Sequence, residues 1–462
     1  MKRATILISL VLLSGCAVGP NYKRPTVNVP TDYRGAMPAQ TNAAKSLGNE
    51  KWWDVYQDPV LTQLIHTAIQ QNYDVRIAAT RVLEAQAQVG ITRANQFPSA
   101  SVGAGVSSQQ NAKVSSVFPA YEVNAGQLDL SVIWNLDFWG KYRRQTEEAR
   151  AQLLATQWGQ QAVISSLVAN VATAYFQLRA LDSELEISQR TLGSRQQSLQ
   201  LTRVLETHGG ASDLDVSQSE QLVYTASETI PDLERQIEQQ ENQLSILLGE
   251  NPGPIPRGRI LTEQPVPENV PAGLPSELLE RRPDVREAEA NMMAANAQIG
   301  VAKASFFPSI SLTGTGGLES NALHHFLQQP SQTWNAGLNI TQPIFEGGAL
   351  RSQLRLARAQ WQENMLSYQQ TVQNSLGQVS NALVAYDKDR QFREQQDLLA
   401  QAAERSDRLS LVLYRNGGAA YLQVLTSETN YLSAELNLVD AQLNERLALV
   451  QLYQALGGGW QQ

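Results

Sequence analysis

The 462-residue sequence predicts a mixed α/β membrane protein, a tandem-duplicated protomer with four transmembrane β-strands and long coiled-coil α-helices. Three observations carry this expectation. The chain is written twice, each copy switches from a helical to a strand period and back, and the strands are too few to close a barrel alone.

The duplication is clearest in "LETHGGASDLDVS" (Leu205 to Ser217) and "LYRNGGAAYLQVL" (Leu413 to Leu425). Gly209 and Gly210 match Gly417 and Gly418, while Leu214 and Val216 match Leu422 and Val424. "QFPSASVGAG" parallels "FFPSISLTGT", "QNYDVR" parallels "RRPDVR" and "EEARAQ" parallels "RLARAQ", all at nearly the same offset. A constant long offset marks a repeated structural unit. The expected boundaries are 59–249 for the first repeat and 276–457 for the second, with a short tail at 458–462. Prolines crowd the intervening linker, 250–275, which cannot be helical along its length.

Each copy holds a long helical tract. Ile164, Val168, Val171, Tyr175 and Leu178 step by fours and threes, and Leu185, Leu192 and Leu199 continue at sevens. Val372, Leu376, Val379, Leu383 and Tyr386 are their counterparts. A 3.5-residue period is a coiled-coil seam. From about Thr146 to His208 it runs roughly 60 residues, or ~90 Å at 1.5 Å per residue. A returning helix from about Asp213 to Leu248 makes a hairpin, so helical hairpins are expected at 141–249 and 349–457.

Ahead of each hairpin the period is two. Leu128, Leu130, Val132, Trp134 and Leu136 alternate with Asp129, Ser131, Ile133 and Asn135. Trp334, Ala336, Leu338 and Ile340 alternate with Asn335, Gly337, Asn339 and Thr341. With partners at Ser99 to Ser107 and Ser309 to Leu318, they predict β-hairpins within 97–140 and 306–346. Short segments with one apolar and one polar face are the signature of outer-membrane strands, and Trp134, Phe138, Trp139 and Trp334 are candidates for an aromatic girdle. An open sheet edge in lipid leaves backbone groups unsatisfied, so the barrel must be shared among chains.

Bulk properties exclude several alternatives. The net charge is −8 and no basic stripe interleaves with aromatics, so nucleic acid is not an expected partner. No later apolar run is long enough for a transmembrane helix. Lys2 and Arg3, then the apolar run Ile6 to Leu13, make 1–15 an export signal. It ends in "LSGC", a lipobox-like sequence whose cysteine, Cys16, is the only one in the chain. Cys16 is therefore the expected lipidation site and 16–58 a lipid-tethered arm, with Ala17 favouring the outer membrane. His66, His208, His324 and His325 have no metal-ligand spacing, and no nucleophile elbow, P-loop or dinucleotide fingerprint occurs. No catalytic residue, metal or cofactor is expected, and the chain does not read as an enzyme.

"LSGCAVGPNYKRP", "WNLDFWGKYRR", "RRPDVREAE", "FFPSISLTG" and "PIFEGGALRSQLRLARAQ" resemble the signatures of TolC-like outer-membrane efflux proteins, in particular the OprM/NodT-like lipoprotein branch. The resemblance implies a homotrimer with a barrel of about twelve strands in outer-membrane lipid, continued by a periplasmic helical barrel. It also implies two partners, a periplasmic adaptor (membrane fusion) protein and an inner-membrane RND-type pump. The function so implied is the passive outer-membrane channel of a tripartite efflux system. A lipid-anchored, periplasm-spanning scaffold and an outer-membrane conduit for type I protein secretion are the alternatives.

On that resemblance Gly209, Gly210, Gly417 and Gly418 turn the periplasmic helix tips. The positions of the family's tunnel-narrowing acidic residues are Gln423 and Thr426, both uncharged here. Asp213 and Asp215 of the first repeat are the substitute gate candidates, since three copies would crowd their carboxylates around one axis and favour cations. The competing reading makes Asp213 a helix cap. Tyr414 matches a latch tyrosine, although ordinary helix packing also accounts for it, and Ala419 stands where the family has a latch arginine.

Overall fold

The computed structural model describes residues 17–34, 46–110, 122–264, 266–267, 270–321 and 331–460; Cys16 and the His324–His325 pair lie outside the described residues. The helices are α1 (Trp52–Tyr56), α2 (Pro59–Gln71), α3 (Tyr73–Ala94), α4 (Lys141–Thr207), α5 (Asp213–Leu248), α6 (Leu278–Arg281), α7 (Pro283–Ala304), α8 (Ala349–Arg415) and α9 (Tyr421–Ala455). The strands are β1 (Ser99–Gln110), β2 (Glu122–Leu136), β3 (Ser309–Ser320) and β4 (Gln332–Thr341). Each repeat therefore runs two helices, two strands, two long helices. At 67 residues each, α4 and α8 extend ~100 Å. The chain divides into two compact units.

The first unit gathers the described residues up to Thr26 with Arg81–Gln157 and Glu287–Gln369. Its sheet is antiparallel throughout, in the order β1-β2-β3-β4. The register aligns the alternation predicted from sequence. One face carries the cross-strand row Val102, Leu130, Gly316, Trp334 and the row Trp134, Leu312, Leu338. The other carries Ser101, Ser131, Thr315, Asn335, with the two serine hydroxyls 2.8 Å apart. Among the described residues nothing covers the apolar face, and Val106 is 92 % and Trp334 84 % exposed. Among the described strands β1 and β4 are each paired on one side only.

The N-terminal arm belongs to this unit's packing. The Val18 amide donates to the Trp139 carbonyl at 3.0 Å. Buried Arg144 donates to the Val18 and Gly19 carbonyls (3.4 and 3.5 Å) and to Asn21 Oδ1 (2.8 Å), and pairs with Glu147. Tyr22 and Arg24 both donate to the Glu289 carboxylate of α7, at 3.0 and 2.9 Å. Gly19 (φ 113°) lies so close to Gly300 that a Cβ on it would sit 2.5 Å from the Gly300 Cα, so both the backbone angle and the contact require glycine.

The second unit comprises Val27–Thr80, Trp158–Arg286 and Gln370–Gln462. Its core buries Trp52, Leu61, Ile65, Tyr175, Leu178, Leu244, Leu261 and Tyr453. Asp58 ties three segments together here. It caps α2 by accepting from the Val60 and Leu61 amides, and also accepts from the Tyr175 hydroxyl (2.9 Å) and Gln264 Nε2 (2.6 Å). Burial works to raise its pKa, but the hydrogen bonds from Gln264, Tyr175 and the two amides outweigh that and hold it below the usual carboxylate range. The proline-rich segment is folded against this core: Arg257 pairs with Asp182 and Glu241, and the Gly258 amide donates to Tyr175.

One part of the helical seam differs from its expected course. Ile164, Val168, Val171, Tyr175 and Leu178 are buried, as their spacing predicts. Beyond them Leu185, Leu192 and Leu199 are only partly buried. The buried line passes instead through Ser188, Arg195, Ser198 and Thr202. A straight α-helix drifts against a strict seven-residue repeat, and near the tip the contact is made by polar side chains.

Candidate functional site

Both helical hairpins of the second unit turn with the same backbone device. Gly209 (φ 77°) and Gly417 (φ 74°) occupy the left-handed region, where glycine carries no Cβ penalty. The Gly210 amide reaches back to the Leu205 carbonyl at 2.7 Å, and Gly418 reaches Leu413 at 2.8 Å. The Gly209 amide bonds to Glu206, and the Gly417 amide to Tyr414. Each pair of bonds completes a Schellman motif and satisfies the last carbonyls of α4 and α8.

The helices that leave the turns begin differently. α5 starts with a capping box in which Ser212 Oγ accepts from the Asp215 amide (3.2 Å) and Asp215 Oδ2 accepts from the Ser212 amide (2.8 Å). The cap expected at Asp213 is thus supplied by Ser212. Asp213 is the first helical residue, exposed, where its charge favours the helix N-terminus. α9 has Ala420 at its N-cap position and so no side-chain cap.

Asp215 and Tyr414 are brought together, and Asp213 stays exposed in the first turn of α5. The Tyr414 phenol is pushed up by burial and then by the Asp215 charge. Its ring lies 5.2 Å from that of Tyr421, whose hydroxyl accepts from Ser219 of α5. Ser219 in turn faces Thr202 at 3.4 Å. Gln423 and Thr426 are exposed, and Thr426 returns its hydroxyl to the Leu422 carbonyl.

Further polar ties lie behind the turns, the first within one hairpin and the others between the two. Arg195 donates to the Leu222 carbonyl at 3.0 Å, Ser198 to Glu428 at 3.2 Å, and Arg190 pairs with Glu435. Ser219, Tyr421, Arg195 and Glu428 were not among the sequence candidates. Arg195, Ser198 and Thr202 do step by three and four along one helix face, and that polar stripe is the signal that would have found them. Such contacts separate without any covalent change, which suits a latch. Among the described residues no cluster of His, Cys, Asp and Glu could hold a metal, and no helix is long and apolar enough to cross a membrane.

Comparison with known proteins supplies the family. The model of the outer membrane efflux protein family matches residues 64–250 and 274–458, one match on each repeat. The cation efflux system protein CusC of Escherichia coli O6:H1 is 34 % identical, covering 97 % of both chains. The toluene efflux pump outer membrane protein TtgC of Pseudomonas putida is also 34 % identical, over 99 % of this chain and 95 % of its own. The solved outer-membrane channel OprN superposes with a TM-score of 0.90 at 28 % identity, covering 96 % of this chain and all of that one.

Proposed function

The chain belongs to the outer membrane efflux protein family, and on that premise we propose that it is the outer-membrane conduit of a three-part efflux system. It works as a homotrimer, its β1 and β4 edges pairing with those of neighbouring copies. The observation that carries this reading is the four-stranded sheet, apolar on one face, polar on the other and open at both edges. Closure across copies satisfies the edges and gives lipid the apolar face. The polar face, which in the described strands includes Asp129 and Glu319 and no basic residue, then lines the lumen.

The hairpin tips meet a periplasmic adaptor, which couples the channel to an inner-membrane RND-type pump that does the energetic work. Asp215, Tyr414, Tyr421 and Ser219 hold the mouth closed until docking, with Asp213 contributing charge at the rim. Lipidation at Cys16 holds the arm at the membrane. The named relatives divide between cations and toluene at the same identity.

The test is single-channel conductance of the detergent-purified oligomer in a planar bilayer, beside a variant carrying both Asp213→Ala and Asp215→Ala. Small steady openings in the parent, larger and less cation-selective in the variant, are expected. A properly assembled oligomer that never conducts would overturn the channel reading. Intact mass of the mature protein, parent against Cys16→Ser, checks the acyl chains.

A further inference from the structure

Further along the hairpins, α4, α8 and α9 of the second unit enclose a cleft of about 270 Å³. Its charged lining is mixed. Arg190 and Arg195 come from α4, Glu404, Asp407 and Arg408 from α8, and Glu428 and Glu435 from α9. Most of these groups are engaged. Arg190 pairs with Glu435, which also accepts from the Tyr431 hydroxyl at 2.9 Å. Arg195 is buried and commits one guanidinium nitrogen to the Leu222 carbonyl of α5, while its Nε is buried without a hydrogen-bond partner.

Two carboxylate oxygens remain. Glu428 Oε1 accepts from Ser198 of α4, but Glu428 Oε2 is buried without a hydrogen-bond partner in the chain, and so is Asp407 Oδ1. They belong to different helices and line one cleft. Two ionised carboxylates held there repel each other, and each buried oxygen lacks the hydrogen bonds water would provide. One proton turns an acceptor into a donor, so a single O–H can bridge the two groups.

We propose that Asp407 and Glu428 form a proton-operated clasp between α8 and α9, in which a shared proton ties the two helices and its release to water lets them part. The surroundings favour proton uptake. Burial pushes the Asp407 carboxyl up, with help from Glu435. Burial and then the Asp407 charge push Glu428 up, against the weaker pull of Ser198 and Arg195. Arg195 and Tyr421 both feel the Glu428 charge; burial lowers the Arg195 pKa and raises that of Tyr421, which stays neutral. For carboxyls raised in this way, the packed state binds more protons than the loosened one. The clasp is therefore tight in acid and weakens as pH rises through the raised values. Both partners lie on the second-repeat hairpin, whose α9 start has no side-chain cap.

Only the consequence for conduction rests on the channel reading; the clasp itself does not. Amide hydrogen exchange over residues 400–435 would be followed at about pH 5 and about pH 8, with labelling times scaled for intrinsic exchange, in the parent, Glu428→Gln and the double variant Asp407→Asn with Glu428→Gln. The parent is expected to lose protection by about tenfold at the higher pH. The double variant should keep the acid level of protection at both. Should it fail to assemble, Glu428→Gln alone is expected to lose most of the pH response. A parent whose protection does not change with pH, or variants that respond as the parent does, would overturn the clasp. Conductance at the two pH values is recorded in parallel, and a parent with pH-dependent protection that never conducts would sink the channel reading while leaving the clasp standing.

Discussion

α3 and α7 begin from matching sequence, "QNYDVR" and "RRPDVR", and both run 22 residues into a β-strand. Yet α3 buries only Val75 and Ala78 and exposes Tyr73, Ile77, Leu83 and Ile91. α7 buries Val285, Met292, Ala297 and Ile299 among others. The difference comes from what lies against each. The single arm packs on α7 through Glu289, Asn296 and Gly300, and a chain with one arm can cover only one of two repeated helices. Duplication copied the element and not its surroundings. In the proposed trimer, the uncovered stripe on α3 is left for a neighbouring copy.

Each repeat has its own anchor, and removing the anchors tests the comparison. The first is held by Asp58, where α2 has 13 residues; ahead of α7 there is only α6, with 4. Asp58→Ala leaves the Tyr175 and Gln264 donors and two α2 amides without their acceptor. It should cost about 3 kcal/mol, read from urea unfolding in detergent. Because the Asp58 pKa is depressed in the folded state, its contribution is present above the unfolded-state pKa and lost as pH falls through the folded value. Asp58→Asn should therefore flatten the acid limb of a stability–pH curve, and an unchanged limb would remove Asp58 from that role.

Arg144→Ala should follow, at about 2 kcal/mol, by leaving two arm carbonyls and Asn21 without their donor. Its diagnostic is local: hydrogen exchange should rise in α7 and leave α3 unchanged. An equal rise in both helices would break the comparison.

The tips repeat the lesson at smaller scale. Ser212→Ala removes a capping box and should cost about 1 kcal/mol, whereas Ala420→Ser offers α9 a cap and should slow exchange in its first turn. If Ala420→Ser changes nothing there, the two tips differ by more than their caps. Gly209→Ala and Gly417→Ala, both at positive φ, should be alike, each costing about 1 kcal/mol. Parallel loss of protection at the two turns would confirm that their backbones are equivalent.

Much of this architecture is legible in the sequence because it is written in local patterns. Ser99, Asp213 and Leu248 stand at observed element boundaries, and alternation from Leu128 to Leu136 assigns every side chain to a sheet face. The Gly-Gly pairs locate both tips, since a left-handed turn at a helix end asks for glycine whatever surrounds it. The site was legible in part. Local pattern singles out Asp215 and Tyr414, which remain proposals as gate residues; the helix cap is Ser212, one residue before Asp213, and the spacing does not single out Tyr421, Asp407 or Glu428.

What the sequence by itself determined is period, repeat and turn, because these depend on neighbours a few residues away. Tertiary structure alone decided that the seam of α4 would pass from Leu178 to Arg195 and Thr202, that the described part of the arm would pack on α7, and that Asp407 and Glu428 would line one cleft. Burial, and with it the protonation of a carboxyl group, is set by which distant helices meet. No spacing along a single helix records that meeting.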